Sequence, residues 1–465
     1  MTTTIGQWRL RAAFAARLSR MYGREVPAYT TLVDVSREVN EDVLRARGAD
    51  AERLGSIRRV TAERHGAIRV GTPGELRQVA RVFGALGMRP VGFYDLRDTA
   101  AGALPVVSTA FRPVAEEELA RNPFRVFTSM LTVSDPRFFD TDLRARLITF
   151  LAGRELFAPE LLALADRAEA ERELSAADAE RFLDLAVRSF ELSAEPIDRN
   201  WYATLERVSP VAADIGGVRS THLNHLTPRV LDIDELYRRM TARGVEMIDT
   251  IQGPPRWEGP DVLLRQTSFR ALAEPRAMRA ADGTVTRGAL RVRFGEVEAR
   301  GIALTREGRA LYDRMLDLVD ERAAHRSAAD RGDIARAVWA EHLPVTEQGL
   351  AEQGLGFCTY HVAPGRPRGG RPPTEAGALL RDGWVRAEPI VYEDFLPRSA
   401  AGIFHSNLSG TGSRDSAQEA AVYDVGWLSA AMDREVLDPF ALYERQRERS
   451  LARVALALRL DALPK

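Results

Sequence analysis

The sequence predicts an α+β fold in which repeated strand-helix-strand modules form a curved central sheet around a metal site, with large helical additions. Three features point there. A short strand (His65 to Val70), an amphipathic helix (Glu75 to Leu86) and a second strand (Arg89 to Asp95) follow one another, with Thr72-Pro73 as the helix start and Gly87 as its stop. The same order returns from His225: a strand to Val230, helix-start chemistry at Asp232 and Asp234, a helix over Leu236 to Ala242, Gly244 as a stop, and a strand at Glu246 to Ile251. Around and between these modules lie stretches rich in Ala, Leu, Glu and Arg with apolar residues at helical spacing.

In chain order, residues 1–62 form an N-terminal helical cap, its stripe marked by Leu10, Phe14, Leu18 and Tyr22. Residues 63–115 hold the first module. Residues 116–193 are a helical insertion that includes Arg144 to Leu151 and Ala177 to Phe190. Residues 194–305 hold the second module and the metal-site strands, among them a strand pair within Ala289 to Leu304 that Gly301 interrupts. The tail returns to helices at Ala303 to Ala324 and Ile334 to Trp339, and residues 306–465, a C-terminal helical region, pass a Gly/Pro-rich surface loop at Pro364 to Pro373 and contain a late pocket-lining segment, Tyr392-Glu393-Asp394-Phe395-Leu396-Pro397.

Composition excludes several classes of function. With 465 residues the chain can enclose a site, and a formal net charge of -1 shows no commitment to nucleic acid. Cys358 is the single cysteine, so there is no intrachain disulfide and no thiolate-built zinc site, and any metal must use His, Asp or Glu. Lys465 is the only lysine, which leaves no internal amine for Schiff-base chemistry. The abundance of arginine and alanine reads as coding bias, so an individual arginine needs positional support. No signal-peptide pattern and no membrane-length apolar run is present, which places the protein in the cytoplasm by expectation.

Among seven histidines, two open the first strands of the two modules. On a strand, alternate residues share a face, so His65, Ala67 and Arg69 project together, as do His225, Thr227 and Arg229. The segment Phe294-Gly295-Glu296-Val297-Glu298-Ala299-Arg300 places Glu296, Glu298 and Arg300 on one face. Two imidazoles and one carboxylate on separate strands match the facial arrangement that leaves positions open for substrate and dioxygen on Fe(2+), although zinc could use the same ligands. His222, three residues before His225, falls on the opposite face of a continuous strand and is the reserve ligand. His405 could line a pocket. His325, His342 and His361 have no motif, and no phosphate loop or serine elbow is present.

Several ordered segments together resemble the 2-oxoadipate dioxygenase/decarboxylase family, also called 2-hydroxyglutarate synthases. They are Glu63-Arg64-His65-Gly66-Ala67-Ile68-Arg69, Thr221-His222-Leu223-Asn224-His225, Arg265-Gln266-Thr267-Ser268-Phe269, the Glu296 segment and the Tyr392 to Phe404 region, so most of the chain is covered. The resemblance implies a fold like that of the vicinal-oxygen-chelate enzymes, metal ligands His65, His225 and Glu296, Arg69 on the distal carboxylate of the substrate, and Ser399 as a further contact. It also implies the reaction: a small 2-oxo dicarboxylic acid, 2-oxoadipate, serves as its own reductant and reacts with O2 to give 2-hydroxyglutarate and CO2, within lysine catabolism. Arg398 departs from the family pattern, where a small apolar residue precedes the serine, and bears on substrate length. Two other readings compete: a metal-dependent lyase or isomerase of the same superfamily that uses no oxygen, and a non-catalytic metabolite-binding protein.

Overall fold

The computed structural model describes residues 4–53, 55–98, 103–291, 293–397, 402–403, 406–407, 414–415 and 417–460. At its centre the strands Arg89–Asp95, Val106–Arg112, Arg125–Leu131, Arg64–Val70 and His225–Pro228 lie side by side in that order. Neighbours are antiparallel except Arg64–Val70 with Arg125–Leu131, which are parallel. An antiparallel pair, Leu264–Phe269 with Gly295–Arg300, adjoins the His225 edge. There Arg229 and Glu298 form a parallel bridge, and the Val230 N–H donates to the Glu298 carbonyl at 2.8 Å. The strands bearing His65, His225 and Glu296 are therefore consecutive. His225 stands opposite Ala67, which shares a face with His65, so both imidazoles start from one side of the sheet.

Both modules start and stop their helices by the same chemistry. The Thr72 hydroxyl accepts from the Glu75 N–H at 3.1 Å while the Glu75 carboxylate accepts from the Thr72 N–H at 3.2 Å, which fixes the start of the Pro73–Ala85 helix. The Asp232 carboxylate accepts from the Glu235 N–H at 3.0 Å at the start of Ile233–Ala242. Gly87 and Gly244 end the two helices at φ +70° and +75°, a backbone region that a Cβ would strain.

The N-terminal helices Gln7–Glu25 and Pro27–Arg47 bury Leu10, Phe14, Leu18 and Tyr22, as their spacing predicts. Tyr22 reaches furthest inward. Its hydroxyl lies 2.9 Å from the Asn224 carbonyl and 2.8 Å from the Phe294 carbonyl, donating between the residues that precede His225 and Gly295.

The span 116–193, expected to be a helical insertion, also contributes the central strand Arg125–Leu131. All seven residues of that strand are buried, so no polar alternation marks it among its Ala- and Glu-rich neighbours. The strand expected at Glu246 to Ile251 is reduced to isolated bridges, Met247 with Phe269 and Gln252 with Gln266. Asp249 and Thr250 bulge into water between them and break the register. Within Ala289 to Leu304 the strands do not pair with each other. Val285–Leu290 pairs with Glu274–Arg279, and Gly295–Arg300 pairs with Leu264–Phe269. Arg293, between the two strands, is buried and paired with Glu274 and Glu25.

The later part of the chain forms smaller cores. Helices Arg306–Arg322 and Ala328–His342 enclose Tyr312, Met315 and Trp339. Cys358 is buried on the Cys358–Val362 strand, and burial pushes its thiol up to about 12, so it is chemically quiet. Residues 365–371 are exposed. No helix among the described residues is long and apolar enough to cross a membrane.

Candidate metal centre

His65, His225 and Glu296 meet in the interior, 1%, 5% and 4% exposed. One donor atom from each lies within 4.8 Å of the other two. Glu296 spans the imidazoles, with Oε2 at 3.4 Å from His65 Nε2 and Oε1 at 3.1 Å from His225 Nδ1. The two rings stand nearly perpendicular at 5.2 Å between centroids. Phe395 closes on His65 at 5.0 Å and Phe294 on His225 at 5.5 Å, so apolar rings exclude water from the imidazoles.

Electrostatics separates the two glutamates that strand parity leaves equivalent. Glu298 is already neutralised. Arg300 donates to it at 2.7 and 2.9 Å, Arg125 approaches at 3.3 Å, and His65 Nδ1 lies 2.9 Å away. Burial opposes its charge, yet Arg300, then His65 and Arg125, hold its carboxyl well below the usual range. Glu296 receives only a 3.4 Å hydrogen bond from Gln266 besides the histidines. Burial raises its pKa, and His65 offsets that only in part. Glu296 is thus the carboxylate that still requires a cation.

The imidazoles agree with this division. Burial, aided by His65 and Arg69, holds His225 well below the ordinary histidine range, so it is neutral. Neither ring nitrogen of His225 has a hydrogen-bond partner among the described residues. A buried, neutral imidazole with unused lone-pair capacity, beside an under-neutralised carboxylate, is the donor set that a divalent ion completes. On His65, burial is outweighed by Glu298 and Glu296, and the pKa is raised. With Nδ1 turned to Glu298, His65 Nε2 is left on the Glu296 side. Glu298→Gln therefore loosens the ring without removing a ligand, and metal affinity measured by titration is expected to weaken about 10–100-fold. Unchanged affinity would rule out the orienting role.

Glu298 also belongs to a buried charged layer beneath the centre. Arg125 donates to Glu63 at 2.7 Å and pairs with Glu393; Arg229 reaches Glu63 at 3.0 Å; Arg59 pairs with Glu393. Arg112 joins Asp394 through two contacts of 2.8 and 3.1 Å. Glu393 and Asp394 bring the late segment Tyr392 to Pro397 against the sheet, and Phe395 follows directly.

Of the other expected residues, Arg69 pairs with Asp214, whose carboxylate also accepts from Asn224 at 2.9 Å. Arg69 stands opposite Ser129 on the neighbouring strand, and the Ser129 and Ser108 hydroxyls lie 2.9 Å apart. On this face Ser108 and Ser129 adjoin Arg69, while Phe127 stands between Ala67 and Ala110 and packs on Phe395 at 5.1 Å. His222 is outside the donor cluster: its Nε2 is 3.3 Å from Asp214. The cause differs from the odd strand spacing expected, because residues 221–224 precede the strand. Arg398, Ser399 and His405 lie outside the described residues. Asp214, Gln266, Ser108 and Ser129 were not anticipated. The one available signal was Asp214 itself, a lone acid in the apolar run Val211-Ala212-Ala213-Asp214-Ile215.

Fold and site define an α+β protein with a buried two-histidine, one-carboxylate cluster able to hold a single metal ion. The chain belongs to the 2-oxoadipate dioxygenase/decarboxylase family, whose model matches residues 14–407. It is 58% identical over 435 residues to a Mycobacterium tuberculosis protein of that name, covering 94% of this chain and 95% of the relative. An Escherichia coli relative of the same name is 37% identical over 471 residues, with 98% and 100% covered. Hydroxyglutarate synthase from Pseudomonas putida, solved in complex with 2-oxoadipate, superposes with a TM-score of 0.84 at 38% identity, covering 99% of this chain and all of that one.

Proposed function

We propose that the protein converts 2-oxoadipate and O2 into 2-hydroxyglutarate and CO2 with Fe(2+) held by His65, His225 and Glu296. The observation that carries the reading is the buried donor set itself: a neutral His225 without protein hydrogen bonds beside a carboxylate short of positive charge. Kinship over the whole chain with a synthase solved in complex with 2-oxoadipate supplies the substrate. Iron, when bound, would provide the redox centre for dioxygen and positions for the 2-oxo acid.

The chain's own residues supply the rest. Glu298 holds the His65 ring by its Nδ1 side, so that Nε2 faces the metal. Phe294 and Phe395 keep water from the reacting groups. Arg69, on the His65 face, offers a planar guanidinium to the distal carboxylate, and its pairing with Asp214 sets its direction. Ser399 is proposed from sequence alone as a further substrate contact, and Arg398 as a residue that bears on substrate length. The stoichiometry balances without a second 2-oxo acid, because the substrate's own C1 leaves as CO2. A cytoplasmic place in lysine breakdown completes the reading.

The test is aerobic incubation of iron-reconstituted protein with 2-oxoadipate, following oxygen loss and 2-hydroxyglutarate together. Equal consumption and formation are expected. An iron-loaded protein that consumes no oxygen with this substrate excludes the reaction, and product without oxygen uptake would favour a lyase or isomerase.

A further inference from the structure

A cavity of about 390 Å3 lies on the side of the molecule reached through His222. Three arginines line it, Arg219, Arg276 and Arg279. None of these three makes an ion pair with a described residue, and all three face one cavity. Arg276 donates to the Ser193 carbonyl at 3.1 Å, and Arg219 to the Gly153 carbonyl at 3.2 Å while lying over Phe150. Glu195 and Asp198 also line the cavity, the latter capping the Trp201 N–H at 2.8 Å. Asp198 stands opposite Arg279 across the paired strands, but neither carboxylate forms an ion pair with the three arginines. Burial and then Arg293 work against the charge of Arg276, and Glu274, Glu25 and Asp214 offset this only in part, so an anion at this place favours the charged form.

The inner wall gives the cavity its meaning. His222 lines it and lies 3.3 Å from Asp214, which in turn pairs with Arg69. Three guanidiniums without carboxylate partners thus stand two side chains away from the proposed subsite for the substrate's far end. Aromatic walls from Trp201 and Phe150 suit a short methylene chain.

Resting on the proposed use of a dicarboxylic 2-oxo acid, we infer that this cavity is a carboxylate-binding vestibule, where Arg219, Arg276 and Arg279 capture the dianionic substrate before its distal carboxylate reaches Arg69. Clefts lined by one sign of charge raise the local concentration of an oppositely charged ligand and speed its capture. That capture is screened by salt.

Arg219 and Arg279 are exposed, so Arg219→Gln/Arg279→Gln removes two charges without opening the core. For the full-length iron enzyme, kcat/KM for 2-oxoadipate at low salt is expected to fall about tenfold, with KM carrying the loss, and its salt dependence to flatten. Thermal midpoint and iron content, measured alongside, identify a folding defect; Arg279→Gln alone then serves. Glutarate, which lacks the 2-oxo group, is titrated calorimetrically into metal-free protein, and the double substitution is expected to weaken its binding. Wild-type kcat/KM and salt slope in the variant overturn the vestibule. Should the wild type fail to turn over 2-oxoadipate, the reaction is wrong, and glutarate binding decides the vestibule alone: sensitivity to the substitution keeps it, insensitivity overturns it.

Discussion

His225→Ala is expected to abolish stoichiometric iron binding and oxygen consumption while leaving a folded protein. The separation of the two effects follows from the site. Neither His225 ring nitrogen makes an aligned hydrogen bond to a described residue, and truncation removes one polar contact, the 3.1 Å approach of Nδ1 to Glu296, which keeps its contact with His65. The packing lost is against Phe294 and His65, and the expected cost is about 1–2 kcal/mol. The metal, by contrast, loses one of three protein ligands. Iron content by elemental analysis, the thermal midpoint and an oxygen electrode read the three outcomes separately. A variant that keeps stoichiometric iron would remove His225 from the centre.

Arg125→Met is expected to be the most damaging single change to stability. Arg125 is fully buried and serves Glu63, Glu298 and Glu393 at once. Opposing burial, Glu63 and then Glu393 and Glu298 raise its pKa far above the ordinary guanidinium value, so it is charged at every working pH. Removing one partner from a buried ionic cluster leaves uncompensated charge, at a cost of about 3–5 kcal/mol. Denaturant unfolding measures this, and adding Glu393→Gln should restore part of it, since the two residues share a contact. A single variant within about 1 kcal/mol of wild type would show that the remaining arginines suffice.

The first module was legible because its strands and helix are separated by strong punctuation: Thr72-Pro73 before the helix and a left-handed Gly87 after it. Half-buried alternation and helical stripes survive in sequence. The strands Val106–Arg112 and Arg125–Leu131 carry no legible signal because they are buried on both faces, so their Ser, Thr and Arg residues do not alternate with apolar ones. The donor residues His65 and His225 stood out by placement at the start of matching modules. Glu296 and Glu298 could not be separated by parity. Their difference arises from Arg300 and Arg125, which come from a neighbouring position and from a strand that had been missed. Arginine abundance hid the buried layer in the same way: nothing local distinguishes Arg125 from the exposed Arg238, and only tertiary placement does.

The Tyr22 hydroxyl lies between carbonyls 202 and 272 positions further along the chain. It is made early on the ribosome, yet its acceptors emerge much later, Asn224 near the middle of the chain and Phe294 past it. The three donor residues share this schedule, since Glu296 follows His65 by about half the chain length. Metal loading is therefore a late event in biosynthesis. It follows closure of some of the longest loops in the molecule, and the first helix waits throughout for the strands it will clamp.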